Sequence, residues 1–209
     1  MTIPMEYFKI HPEHPQSRLI GKTIEILNRG GVMAYPTDSG YALGCHIGDK
    51  SALQNICRIR QLDDKHQFSI MCKDISQVSV YAHFDTPVYR LLKAATPGPY
   101  TFILRASREV PKRLIHIKRK TIGIRIPDIP IVQAILDQLG EPFFTTSFIL
   151  PGEEFPMNDT EEIRDRFGHQ LDVVIDGGQG STIPTTLVDM TEDAPVILRE
   201  GRGDVQLFQ

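Results

Sequence analysis

The chain has 209 residues, 41% hydrophobic and 23% charged. That is the make-up of a globular domain and excludes a disordered or fibrous chain. Lys plus Arg number 23 against 26 Asp plus Glu, a net charge of −3 that names no partner. No apolar run nears the roughly 20 residues of a membrane span or opens the chain as a signal peptide.

Helical and strand patterns alternate along the chain. Leu19, Ile20, Thr23, Ile24 and Leu27 recur at helical spacing and stop at Gly30-Gly31. Residues 32–35 read as a short buried strand ended by Pro36. Asp49 or Ser51 caps a helix running through Arg60, with Leu53, Ile56 and Cys57 inward. Residues 68–72 form a strand. Val88, Leu91 and Leu92 mark a helix that ends before Pro97-Gly98-Pro99. Strands are expected over 100–104 and 121–126. Ile131, Ile135, Leu136 and Leu139 mark a helix closed by Gly140. Further strands fall at 143–147, 171–175, 186–190 and 196–199, and Asp159 caps a short acidic helix ending at Gly168. The fold expected is α/β or α+β, a single domain over 1–209 with one mixed sheet and flanking helices.

Local charge says more than net charge. Residues 105–125 hold eight cations (Arg105, Arg108, Lys112, Arg113, Lys118, Arg119, Lys120 and Arg125) and one acid, Glu109, giving +7. Residues 153–204 hold thirteen acids and four cations, giving −9. An anion would find the basic zone. The cysteines Cys45, Cys57 and Cys72 form no CxxC pair, which argues for reduced thiols in a cytoplasmic protein. The histidines show no metal-ligand spacing, so no metal site is expected. Neither a GxxxxGK[ST] loop nor a GxGxxG after a strand is present.

Several segments carry chemistry-bearing side chains. YPTDSGYALGC (35–45) follows a strand directly, where open α/β sheets bind ligands; taken alone, a structural Pro/Gly turn is the plainer reading. Arg58 and Arg60 end a helix, but residues two apart do not share a helix face. They converge on one anion only if the helix frays; a solvated helix end is the plainer reading. In TIGIRIP (121–127) alternation puts Thr121, Gly123 and Arg125 on one face and three isoleucines on the other. An arginine central in a strand needs an anion or open water. Thr145, Thr146 and Ser147 end another strand with hydroxyls.

Seven segments in this order, YPTDSGYALGC, RIRQLDDK, TPGPYTFIL, KTIGIRIP, TTSFILPG, PTTLVD and REGRGD, resemble the YrdC/YciO family over about residues 10–205. The variants RIRQ and TTSFILPGEEF are most similar to its YciO branch. The resemblance implies a twisted open sheet enclosing a concave basic cavity, without the extra C-terminal domain of longer members. It implies synthesis of threonylcarbamoyl-adenylate from L-threonine, bicarbonate and ATP, with Mg²⁺ as part of the ATP complex, in service of tRNA modification. By the same resemblance, Thr37, Arg125, Thr145 and Thr185 contact threonine. Arg58 and Arg60 match a catalytic Lys-x-Arg pair on the ATP phosphates. Lys65 or His66, Thr121, Ser147 and Arg199 contact the nucleotide. Two departures stand out: arginine replaces the lysine of the pair, and Ile149 replaces the asparagine of a Ser-x-Asn motif. Isoleucine has no side-chain hydrogen bond to offer. The competing expectation is therefore a double-stranded RNA or tRNA binder without efficient catalysis, using the cavity or the 105–125 run. A carbamoyl-phosphate-related role is a third. No membrane partner is expected, and weak self-association is left open.

Overall fold

The computed structural model describes residues 4–63 and 66–209. Among these residues, eleven strands form one mixed sheet. They are β1 (Glu6–Lys9), β2 (Met33–Thr37), β3 (Gly40–His46), β4 (Ser69–Met71), β5 (Ala82–His83), β6 (Tyr100–Ala106), β7 (Thr121–Arg125), β8 (Phe143–Ser147), β9 (Val173–Asp176), β10 (Thr186–Asp189) and β11 (Val196–Arg199). The spatial order is β1-β9-β2-β3-β8-β4-β7-β6-β10-β11, with β5 on β6. Among the described residues, six α-helices flank it: α1 (Ser17–Asn28), α2 (Lys50–Arg60), α3 (Ile75–Tyr81), α4 (Thr86–Ala95), α5 (Pro130–Leu139) and α6 (Thr160–Phe167).

Helix boundaries follow local chemistry. Asp49, Asp74, Asp85 and Asp159 each accept a backbone N–H of the first turn, starting α2, α3, α4 and α6. Pro130 opens α5, and Gly140 closes it with φ 74°. Alternation along the strands builds two cores. Met33, Tyr35, Phe143, Val173 and Ile175 face α1 and α5, packing with Ile20, Leu27, Ile131 and Ile135. Ala34, Phe144, Val174, Ile122 and Ile124 face the other way, packing with Leu53 and Ile56 of α2. Helices α1 and α5 pack on each other and touch β2 and β3. The polar faces of β7 and β8 carry Thr121, Arg125, Thr145 and Ser147.

Two expectations need correction. Pro36 does not end its strand; it lies inside β2, opposite Tyr41. The Tyr41 N–H and C=O are engaged instead by Met157 and Phe148, so Pro36 occupies a pair that needs no proline N–H. The segment after Pro36 is a hairpin whose second arm, β3, is a full strand rather than a loop. The short elements β1, α3 and β5 carry no pattern strong enough to predict them.

Candidate functional site

A cavity of about 250 Å³ opens against the β4–β7–β8 region, lined by thirteen side chains that include Arg60, Arg125, Arg199, Thr145, Ser147 and Thr185. Each arginine is held by the fold. Arg60, at the end of α2, donates from Nε to the Ser147 carbonyl (2.9 Å) and from Nη1 to the Ile149 carbonyl (2.7 Å). Burial pushes its pKa down to about 10, still far above neutrality. Arg199, at the rim, donates from Nε and Nη2 to the Thr185 carbonyl (3.0 and 2.9 Å) and from Nη2 to the Thr185 hydroxyl (3.2 Å). Burial, then the charge of Arg125, lowers its pKa. Arg125 comes from the polar face of β7 and is only 4% exposed. Its Nη2 donates to Asp38 Oδ1, an ion pair across 87 residues.

Hydroxyls and amides fill the spaces between the charges. Thr101 and Thr185 share a hydroxyl–hydroxyl bond of 2.8 Å. Thr145 Oγ1 and the Tyr35 phenol lie 2.5 Å apart, and burial raises the Tyr35 pKa so that the phenol stays neutral. Thr121 donates to Gln67 Oε1 at 2.8 Å. A Cβ at Gly123 would lie 2.2 Å from Ser69 Oγ, so the glycine keeps room for that hydroxyl. His66 lines the same cavity. Burial lowers its pKa, the Arg60 charge lowers it further, and Asp63 opposes both. Its imidazole is therefore neutral near pH 7.

The structure brings together Arg60, Arg125, Thr145, Ser147, Thr185 and Arg199. Arg58 is not with them. The helix stays intact through Arg60 and turns only at Gln61, with φ 51°. Two residues apart on an unfrayed helix, Arg58 is exposed and points away from the cavity. Thr37 is not in the cavity wall; it lines a separate pocket with Pro36, Asp128 and Gly177. Its hydroxyl donates to the Gly40 carbonyl (2.7 Å) and accepts from the Ser39 N–H (3.1 Å), closing the β2–β3 turn. Thr121 is buried behind Gln67. Lys65 lies outside the described residues.

Sequence reasoning passed over Gln67, Ser69, Thr101, Leu187 and the partner role of Asp38. The alternation of core residues Phe68 and Ile70 already assigned Gln67 and Ser69 to the opposite face. In the basic run, Arg105 donates to Thr191 O (2.9 Å), Arg113 to Gly48 O, and Arg119 pairs with Asp189. With Arg125, half of its cations are thus engaged in the fold. Arg108, Lys112, Lys118 and Lys120 are exposed. Burial raises the pKa of Cys45, Cys57 and Cys72, so none is poised as a thiolate. Among the described residues, no group of three or more His, Cys, Asp or Glu is placed to hold a metal, and no helix is long and apolar enough to cross a membrane.

Residues 25–201 match the Sua5/YciO/YrdC family model, described as telomere recombination. The chain belongs to this family. It is 55% identical to protein YciO of Escherichia coli over 203 residues, 97% of this chain and 98% of that one. The crystal structure of E. coli YciO superposes with a TM-score of 0.95, covering 98% of this chain and all of the other. A threonylcarbamoyl-AMP synthase of Vibrio vulnificus is 28% identical over 162 residues, 76% of this chain and 86% of that one. The crystal structure of P. abyssi Sua5 complexed with L-threonine has a TM-score of 0.85 at 24% identity, a likeness of fold. It covers 93% of this chain and 57% of that one.

Proposed function

We propose that the chain binds L-threonine and the magnesium complex of ATP in the arginine-lined cavity and forms threonylcarbamoyl-AMP. The observation that carries this reading is the convergence of Arg60, Arg125 and Arg199 with the hydroxyls of Thr145, Ser147 and Thr185 around one cavity. Relatives at 28% identity named threonylcarbamoyl-AMP synthase support it. So does the L-threonine complex of a protein with this fold.

In this reading the threonine amine and bicarbonate give a carbamate with loss of water. A carbamate oxygen then attacks the α-phosphorus in line, the bond to the β-phosphate oxygen breaks, and pyrophosphate leaves. Such chemistry asks for positioning and for cations where phosphate charge develops. Arg60 and Arg199 are pre-organised for that role, because carbonyl bonds fix their guanidinium planes before any ligand arrives. Arg125 grips the threonine carboxylate. The decisive experiment is pyrophosphate release with threonine, bicarbonate, ATP and Mg²⁺, with threonine omitted as the control. Release that does not depend on threonine refutes the reading.

A second reading is RNA binding without efficient catalysis. Ile149 in the cavity wall, where catalytic relatives are expected to carry an asparagine, favours it. The exposed Arg108, Lys112, Lys118 and Lys120 supply the phosphate contacts.

A further inference from the structure

We propose that this chain pairs with a second copy of itself, each copy seating Phe155 in a basic, apolar groove of the other. The proposal does not depend on how the arginine cavity is read. The groove has a volume of about 420 Å³ and lies beside that cavity, with His66 lining both. Lys50, Leu53, Gln54 and Cys57 recur at helical spacing, so one stripe of α2 faces the groove. Phe68 joins them, and Ile115 and Ile117 come from the β6–β7 connection. That connection is pinned: the His116 N–H donates to the Thr121 carbonyl and the Lys120 N–H to the His116 carbonyl, each at 2.9 Å. Ile117 is nonetheless 59% exposed. An apolar side chain held out beside an apolar groove marks an interaction site.

Cations ring these side chains. Lys50, Lys112 and Arg113 all line the groove, and the Arg113 guanidinium is held there by the Gly48 carbonyl. Asp63 is the one acid among the described residues that line it, so the lining carries a net charge of about +2. The occupant must therefore be apolar at its centre and acidic at its flank.

The chain carries such a segment. Glu153, Glu154 and Phe155 follow the turn at Gly152, and all three are exposed, Phe155 by 55%. The loop projects from firm ends. The Ile149 carbonyl accepts from Arg60 at 2.7 Å, the Met157 N–H donates to the Phe148 carbonyl at 2.9 Å, and buried Pro156 packs against Gly40. A ring presented from a fixed loop loses little conformational freedom on docking. It anchors the contact by filling an apolar pocket, while the two glutamates beside it offset the two net positive charges of the groove. Both features flank one cavity, since the groove shares His66 with it and the loop begins at Ile149 in its wall. A two-fold axis beside the cavity mouth lets each copy give a loop and a groove at once, which closes the assembly at two copies.

Sedimentation velocity of the whole chain across roughly 1–100 μM tests this, and a monomer–dimer equilibrium that weakens with added salt is expected. Phe155→Ser and Ile117→Ser should each raise the dimer Kd at least about 30-fold. Both side chains are exposed, so melting curves should stay at the wild-type position. Glu153→Lys with Glu154→Lys should also weaken pairing, as should Lys50→Glu with Lys112→Glu, and the four substitutions in one chain should restore it. A wild type that stays monomeric throughout overturns the proposal. So does a dimer that survives Phe155→Ser, or a folded four-fold variant with no recovery. A monomer that takes octanoate into the groove in calorimetry, with Ile117→Ser abolishing uptake, would assign the groove to a free apolar anion and overturn the second copy as its occupant.

Discussion

Replacing Arg60 with alanine separates the proposed phosphate contact from a structural one. Two of its nitrogens are spent on the Ser147 and Ile149 carbonyls, which leaves Nη2 for an anion in the cavity. Loss of one charge-assisted hydrogen bond to phosphate costs about 1.5–3 kcal/mol, so the Kd for MgATP should rise roughly 10- to 150-fold. The two carbonyls lose their donor at the same time. At about 0.5–1.5 kcal/mol each, the variant should also be about 1–3 kcal/mol less stable. For a chain of this size each kcal/mol moves Tm by roughly 2–4 °C. Calorimetry and a melting curve read the two effects separately. Arg60→Lys should recover part of the affinity, because charge returns without the bidentate fork. A folded Arg60→Ala protein with wild-type MgATP affinity would refute the phosphate role.

Two further outcomes follow from the charges. Because the folded His66 pKa lies below its unfolded value of about 6.5, its contribution to stability is complete above that pH. It is lost as pH falls from there through the folded pKa. His66→Gln should therefore flatten the stability profile on the acid side of pH 6.5 in urea melts, and an unchanged slope would rule the residue out. If the four exposed cations of the 105–125 run contact RNA, log Kd should change with log salt at a slope of magnitude about 3, and Lys118→Ala with Lys120→Ala should reduce it by about 2. A flat salt response would mark the run as solvated surface.

The site was legible where local geometry decides and hidden where the sheet order decides. Strand alternation alone put Arg125 opposite three core isoleucines, and the structure has it there. Helical geometry argued against Arg58 and Arg60 converging and left both on a solvated helix end as the plainer reading. The family pattern named both, and only Arg60 reaches the cavity. Strand β3 was masked because its small residues and glycines read as a loop. Its burial on both faces removes the polar alternation that betrays a half-exposed strand. The Asp38–Arg125 pair could not be read at all. It depends on β2, β3, β8, β4 and β7 lying side by side, an order that no local signal encodes. Likewise the basic run looked like one continuous surface until the fold spent half of it on carbonyls and carboxylates.

Ile149 is one of the two places where the expected catalytic pattern and this chain part, and its position decides what a substitution does. The side chain lines the cavity and is half-buried, so it is not a core residue whose exchange must unfold the site. Its backbone is already fixed, since its carbonyl accepts from Arg60 and its N–H donates to the Ser147 carbonyl at 2.9 Å. An asparagine placed there presents its amide to the cavity, where water or nucleotide can satisfy it. The penalty of a buried unpaired amide, about 1–3 kcal/mol, therefore does not arise, and Tm should change by only a few degrees. The gain concerns the reaction. A hydrogen bond made mainly as the α-phosphate charge develops is worth about 1–3 kcal/mol, a five- to hundred-fold increase in threonine-dependent pyrophosphate release. Affinity for MgATP should rise less than the rate, because a bond formed equally in the bound state would lower KM and leave kcat alone. A stable Ile149→Asn protein whose rate is unchanged, with MgATP still bound, would show that the cavity is not limited at this position. The adenylation reading would then lose its explanation for the departure, and the exposed cations of the basic run would become the better guide to what the chain does.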